Sequence, residues 1–151
     1  MTCFFIGHHN APESLRPVLD KAVERHIIEC GVTQFIVGHY GAFDRMAADA
    51  VMRAKKEHKA VTLMLLLPYH PTERPIELEA GFDGSFYPEG MENVPRRYAI
   101  VRANEYVIRR VCDYLIAYDR YLATKTHDFV EIARVRAVKG ELHIENLAES
   151  L

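Results

Sequence analysis

The sequence has few cysteines and no excess of charge of either sign. The three cysteines, Cys3, Cys30 and Cys112, are isolated and lack the paired spacing of metal ligands. They therefore predict reduced, mostly buried thiols of a cytoplasmic protein rather than a disulfide framework. The 19 Lys and Arg residues nearly balance the 21 Asp and Glu residues, for a net charge of −2. This balance argues against a nucleic-acid-binding protein, because such proteins usually carry a basic patch.

Long hydrophobic segments are also missing. The longest apolar run, residues 60–68, is interrupted by Thr62 and is too short to cross a bilayer. The first ten residues contain no basic segment of the kind that opens a signal peptide. We therefore expect a cytoplasmic protein that makes no membrane contact. Apolar residues still make up 49% of the 151 residues, which predicts one globular domain over residues 1–151.

Short apolar runs alternate with segments of helical periodicity along the chain. The predicted strands are residues 2–6, 35–37, 61–67, 114–118 and 142–144, and the predicted helices are residues 15–27, 43–58, 95–112 and 126–138. Because the strands are apolar throughout, both of their faces should be covered by helices, as in parallel sheets. The pattern predicts an α/β fold, a Rossmann-like three-layer αβα sandwich. Its mainly parallel sheet should have about five strands, with the first strand inside and residues 141–145 at an edge.

Residues 68–94 interrupt this alternation. The segment holds four of the seven prolines and three of the eight glycines. It also contains Phe82, Phe86 and Tyr87, whose side chains need burial, so we expect an ordered excursion rather than a linker. Long loops of this kind in compact domains are often lids or binding loops.

Two glycine-containing loops follow the first and second predicted strands. In parallel α/β sheets, ligands bind beyond the carboxyl ends of the strands. Glycine allows positive φ and close approach to the backbone. The free amides of the helix that follows Gly41 are the most plausible site for phosphate or carboxylate in the sequence. The candidate ligand-binding residues in these loops are Gly7, His8, His9, Gly38, His39, Tyr40, Gly41 and Asp44. The alternative is structural: αβ turns need glycine anyway, and an acidic residue such as Asp44 stabilises the start of a helix.

Histidine is the one metal-ligating residue type that recurs in these loops. His8, His9 and His39 should lie at the same end of the sheet, and imidazoles suit zinc. Adjacent histidines on an extended segment point in opposite directions, however, and the spacing does not match a known ligand set. We therefore expect these side chains to contact a ligand or to form hydrogen bonds, with no metal and no cofactor.

Three segments together resemble one protein superfamily. They are FFIGHHN, VGHYGAFDRMAADAV and VPRRYAIVRANEYVIRRVCDYLIAY. They are similar to the SLOG superfamily, Rossmann-like proteins related to the DNA-processing protein DprA and to the "lonely guy" cytokinin-activating enzymes. Within it, the chain looks like small single-domain bacterial members of unknown function, whose corresponding loops read Gly-His-Arg and Gly-Asn-x-Gly-x-Phe-Asp.

The resemblance implies a pocket for a nucleotide or a nucleotide derivative. Arg97, Asn104 and Glu92 match family stretches and become further ligand-binding candidates. The chain departs from the pattern at His9, which replaces the family's Arg, and at His39, which replaces its Asn. It also has Ala103 before Asn104 where the family has Arg, and it lacks the family's Gly-Gly turn after the fourth strand. The Pro-Gly-Gly-x-Gly-Thr-x-x-Glu motif of the phosphoribohydrolase branch is missing. Relatives with this fold often self-associate, so the resemblance also implies a homodimer.

Three functions are compatible with these features. The first is binding of a nucleotide or nucleotide-derived small molecule at the carboxyl edge of the sheet, as a sensor would do. The second is an enzyme that hydrolyses the N-glycosidic bond of a nucleoside monophosphate, with Asp44 or Glu92 as acid or nucleophile. The third is a protein-interaction module that uses the surface of residues 68–94 and has a vestigial pocket. These features do not identify a catalytic residue.

Overall fold

The computed structural model describes residues 1–151 and contains six strands and four α-helices. The strands are β1 (Thr2–Gly7), β2 (Gln34–Val37), β3 (Thr62–Leu66), β4 (Gly84–Phe86), β5 (Tyr114–Tyr118) and β6 (His143–Asn146). The helices are α1 (Leu15–Ile28), α2 (Ala42–Lys55), α3 (Ala99–Arg110) and α4 (Lys125–Val138). Short 3₁₀ turns occupy Met91–Asn93, Arg96–Tyr98 and Leu147–Ser150.

All neighbouring strands pair in parallel, in the order β4-β3-β2-β1-β5-β6. The predicted parallel αβα sandwich is confirmed, with β1 inside the sheet and β6 at one edge. The count of about five strands was wrong, because β4 forms the other edge inside the 68–94 segment. β4 has only three residues, Gly-Ser-Phe, and none is fully buried, so its sequence carries no strand periodicity.

The core has two halves, one on each face of the sheet. Along β1, Cys3 and Phe5 belong to the cluster beneath α1 and α2. Phe4 and Ile6 belong to the cluster beneath α3 and α4. Alternate side chains therefore enter opposite core layers, which explains why β1 is apolar at every position rather than at every second one. Cys3 is a buried free thiol.

The third predicted helix is shorter than residues 95–112. The chain first forms the 3₁₀ turn Arg96–Tyr98, and regular α-helix begins at Ala99. At its other end, Arg136 of α4 donates from Nη1 to the carbonyl oxygens of Ile108 (2.8 Å) and Cys112 (2.7 Å). Arg136 thus satisfies orphan carbonyls at the end of α3, which explains a charged side chain at an inward-facing position.

The excursion 68–94 is ordered and attached to α2 and β3. Arg45 pairs with Glu79 at 2.6 Å, and Lys55 pairs with Asp83 at 2.6 Å. The Asp83 carboxylate also accepts from the backbone N–H of Leu63 at 2.8 Å. The Arg45–Glu79 pair lies at the start of α2, after the carboxyl end of β2, whereas the contacts of Asp83 lie near the amino end of β3. None of the helices has both the length and the apolar character needed to cross a membrane.

Candidate functional site

A cavity of about 670 Å³ lies at the carboxyl edge of the sheet, on the side covered by α3 and α4. It opens between two neighbouring strands whose following helices lie on opposite faces of the sheet. The segment after β1 leads to α1 on one face, whereas the segment after the neighbouring β5 leads to α4 on the other. In open α/β sheets this switch point is the usual ligand site. Seven predicted site residues line the cavity: Gly7, His8, His9, Gly38, Tyr40, Asp44 and Asn104.

The other four predicted site residues lie outside this cavity. His39 and Gly41 line a smaller chamber of about 210 Å³ between α2 and the 68–94 segment. Glu92 is exposed in the 3₁₀ turn Met91–Asn93. Arg97 is exposed, and its guanidinium lies over the Tyr98 ring at 4.9 Å. The three loop histidines do not converge, since His39 is absent from the cavity that His8 and His9 line.

The loop glycines provide space for protein groups. A Cβ on Gly7 would lie 2.3 Å from Cγ of Phe43, and a Cβ on Gly38 would lie 2.9 Å from Oδ2 of Asp44. Gly41 has φ +112°, and a Cβ there would lie 2.8 Å from Cα of His9. The sequence predicts two reasons for a glycine here, positive φ and the close approach of a ligand to the backbone. The φ angle is positive, but the group that lies close to Gly41 is His9 of the first loop rather than a ligand.

The two predicted loops are joined directly to each other. The backbone N–H of Ala42, the first residue of α2, donates to the carbonyl oxygen of His9 at 2.8 Å. One of the four free amides of α2 is therefore already occupied by protein. The side chain of Asp44 lies in the same first turn and lines the cavity. Its carboxylate would repel an anion bound at the start of α2.

Asp44 is the titratable group of the cavity whose chemistry the fold changes most. It is half-buried, and its Oδ2 accepts from the backbone N–H of Tyr40 at 3.1 Å. Burial raises the pKa of Asp44 to about 7, although the hydrogen bond from Tyr40 acts in the opposite direction. Near neutral pH this carboxyl group is thus divided between the protonated and the ionised form. Such a group can act as a proton donor or as a hydrogen-bond acceptor.

We expect the stability of the fold to fall as the pH rises through the pKa of Asp44. The unfolded chain loses this proton near pH 4, whereas the folded chain keeps it to about pH 7. Ionisation between these values therefore favours the unfolded state, and wild type should lose about 2–3 kcal/mol between pH 5 and pH 8 relative to Asp44→Asn. Urea unfolding of both proteins across this range measures the difference. Parallel stability profiles would contradict it.

The sequence-based prediction missed one wall of the cavity. That wall consists of the segment between β5 and α4, together with the first turn of α4: Tyr121, Thr124, Lys125, Thr126 and Phe129. Thr124 caps α4, since its Oγ1 accepts from the N–H of His127 at 3.2 Å and donates to the carbonyl of Tyr121 at 2.7 Å. A threonine directly before a helix was the available signal. No glycine marked this loop as a place of close approach.

Hydrogen bonds from β6 and from the residue after β1 fix the segment between β5 and α4. Asn146, the last residue of β6, accepts at Oδ1 from the backbone N–H of Asp119 at 3.0 Å and donates from Nδ2 to the carbonyl of Asp119 at 2.9 Å. From β1, the imidazole of His8 accepts from the N–H groups of Arg120 (2.9 Å) and Tyr121 (3.3 Å). These four hydrogen bonds position the start of α4 beside the cavity.

No protein-family model matches the chain, and no curated protein matches it. The resemblance to the SLOG superfamily therefore stays a prediction that depends on the sequence motifs alone.

Proposed function

We propose that this chain binds a nucleotide or a nucleotide-derived small molecule in the cavity at the carboxyl edge of the sheet. The observation that carries the proposal is the cavity itself, which lies at the switch point between β1 and β5. The first residues of α4, whose backbone amides are free, line this cavity. Its volume of about 670 Å³ lies within the usual range for small-molecule sites. The resemblance to SLOG proteins supports the same class of ligand.

The start of α4 is the better of the two anion sites. Each helix start has one occupied amide and one acidic residue, but Asp128 of α4 is exposed outside the cavity, whereas Asp44 of α2 lines it. The backbone N–H groups of Lys125 and Thr126 have no acceptor within the protein. Lys125 forms no ion pair, and the hydroxyl of the buried Thr126 makes no hydrogen bond with the protein. Amides at a helix N-terminus, an ammonium group and a hydroxyl together suit a phosphate. We therefore seat the phosphate on α4, whereas the sequence alone favoured α2.

The rest of the cavity suits a sugar and a base. Ile100 and Val101 of α3 provide an apolar wall. Asn104 donates its amide to the carbonyl of Ile100 at 2.9 Å, which leaves its Oδ1 to accept a hydrogen bond from a ligand. Asp44 offers a second acceptor. A mostly apolar wall with a few placed acceptors is typical of sites for small heteroaromatic ligands.

Calorimetric titration with nucleoside 5′-monophosphates, their parent nucleosides and inorganic phosphate tests the proposal. We expect a monophosphate to bind more tightly than its nucleoside or phosphate alone, because it occupies both ends of the cavity. Bound ligand should also raise the melting temperature. If neither binding heat nor a thermal shift appears with any of these compounds, the proposed ligand class is wrong.

A second candidate function is hydrolysis of an N-glycosidic bond, and the raised pKa of Asp44 favours it. A carboxyl group that is partly protonated at neutral pH can donate a proton to a leaving base. Release of free base from nucleoside monophosphates would show this activity, and Asp44→Asn should abolish it. Glu92, the other acid considered from the sequence, is exposed and does not line the cavity. A protein-interaction surface on residues 68–94 stays a prediction.

A further inference from the structure

His8 is a buried polar side chain directly after β1, and it is only 5% exposed. Its ring packs against the rings of Tyr118 and Tyr121, with centroid distances of 5.4 Å and 5.0 Å. It also lines the cavity. A buried imidazole at this position needs partners for both ring nitrogens, because a buried polar group without a partner costs free energy.

One ring nitrogen has two protein partners, and both are donors. Nε2 lies 2.9 Å from the backbone nitrogen of Arg120 and 3.3 Å from that of Tyr121. A backbone amide always carries its hydrogen, so Nε2 must present its lone pair. The proton of a neutral imidazole then resides on Nδ1. The fold thus selects one of the two tautomers.

The other ring nitrogen has no protein partner. Nδ1 of His8 makes no hydrogen bond within the chain. Asp119 Oδ1 is the one fully enclosed side-chain polar atom without a hydrogen-bond partner. Because Nδ1 of His8 also lacks a partner, it must therefore keep some access to solvent. With His8 lining the cavity, its Nδ1–H is available to whatever occupies that space.

We propose that His8 is a positioning and specificity-determining residue, a neutral imidazole held in the Nδ1–H tautomer. Its Nε2 anchors the segment that leads into α4, and its Nδ1–H donates one hydrogen bond to an acceptor atom of the ligand. The second part rests on the proposed function, and the first does not. His8 therefore excludes a donor group or a cation from its part of the cavity.

Protonation of His8 would undo the arrangement. An imidazolium has no lone pair and cannot accept from the amides of Arg120 and Tyr121. Burial lowers the pKa of His8, the nearby Asp119 opposes this effect, and His9 adds to it. The neutral form therefore persists through neutral pH, and the anchor fails only in acid.

Five further ionisable side chains line the same cavity: His9, Tyr40, Asp44, Tyr121 and Lys125. An ionised Asp44 favours the charged form of His8, whereas the ammonium group of Lys125 disfavours it. The residues that α3 contributes to the cavity wall carry no ionisable group. Comparison with a variant that cannot titrate at position 8 removes the contribution of these groups from any pH profile.

The first test needs no ligand. In ¹⁵N-histidine NMR spectra at pH 7.5, we expect Nε2 of His8 to resonate as a bare acceptor and Nδ1 as a protonated nitrogen. Hydrogen exchange at the amides of Arg120 and Tyr121 should accelerate by about tenfold or more in His8→Leu. It should stay near the wild-type rate in His8→Gln, whose Oε1 replaces Nε2 as acceptor.

Exchange at Ile36, a fully buried residue in the interior strand β2, reports whether either variant has lost global stability. A protonated Nε2 would overturn the proposal. Unchanged exchange at Arg120 and Tyr121 in His8→Leu, with Ile36 also unchanged, would overturn the anchor.

The second test separates the donor from the anchor. We expect His8→Gln to bind a nucleoside 5′-monophosphate about five- to tenfold more weakly than wild type, because it keeps the acceptor and lacks the Nδ1 donor. His8→Leu should bind more weakly still. As the pH falls from 7 to 5, wild type should lose affinity faster than His8→Gln. Equal affinity of wild type and His8→Gln would overturn the donor role. If wild type binds no monophosphate, the proposed function fails, and the tautomer and anchor are still decided by the first test.

Discussion

Gly7→Ala should destabilise the fold strongly, although it adds only one methyl group. The new Cβ would lie 2.3–2.7 Å from three ring carbons of Phe43, a side chain that is 1% exposed and packs between β1 and α2. The rings of Phe5 and Tyr118 pack against it and restrict its movement. We expect a loss of about 3 kcal/mol or more, at or above the usual cost of overpacking a core. Denaturant unfolding measures it.

Gly140→Ala is the matched control for this variant. Gly140 has φ +75° and nothing within 4 Å of an added Cβ, so it reports the cost of backbone strain alone, about 1 kcal/mol. Gly7 has no positive φ and reports the collision alone. Phe43→Leu in the Gly7→Ala background should recover part of the loss. Similar costs for Gly7→Ala and Gly140→Ala would show that the ring of Phe43 can move.

Replacing the side chains at the start of α4 should have the largest effect on ligand binding. Lys125→Met removes an ammonium group that has no ion pair in the protein, and Thr126→Val removes a hydroxyl without a protein partner. We expect each change to weaken binding of a nucleoside 5′-monophosphate by about 1–3 kcal/mol, the usual range for hydrogen bonds to a charged group. Binding of the parent nucleoside should change little. Calorimetric titration of both ligands gives the comparison.

Lys139→Met provides the charge-matched control. Lys139 is exposed at the opposite end of α4, so its loss changes the net charge equally without touching the cavity. Rising salt should weaken monophosphate binding to wild type more than to Lys125→Met. If Lys125→Met and Lys139→Met bind the monophosphate equally, the phosphate does not lie on α4.

The sheet could be predicted because its signal is local. Each interior strand is a short apolar run, and burial on both faces leaves this mark in the sequence regardless of its neighbours in space. β4 leaves no such mark, since only its pairing with Met64–Leu66 makes the segment Gly84–Phe86 a strand. The end of α3 is a similar case. It is capped by Arg136 from α4, and no periodicity in α3 could have shown this contact.

The candidate site was predictable only in part for the same reason. Glycine and histidine mark the loops after β1 and β2, and seven of the predicted residues do line the cavity. The wall from α4 has an ordinary helix start, Thr124-Lys125-Thr126, whose open amides become a site only through the position of β5 beside β1. Glu92 and Arg97 came from the resemblance, and the structure places both outside the cavity.

The position of β1 also determines the order in which the molecule can assemble. The two strands that pair with β1 lie at very different distances from it in the sequence. Cys3 pairs with Phe35 of β2 on one side and with Tyr114 of β5 on the other. Thr2 and Asp113, which join by a hydrogen bond at 2.9 Å, are 111 residues apart. Pairing at such separations closes a large loop before any contact compensates for it, so folding should be slow for a chain of this size. During synthesis, one edge of the apolar strand β1 stays open until β5 has been made. An open apolar edge is prone to pair with other chains, and chains truncated before β5 should therefore aggregate.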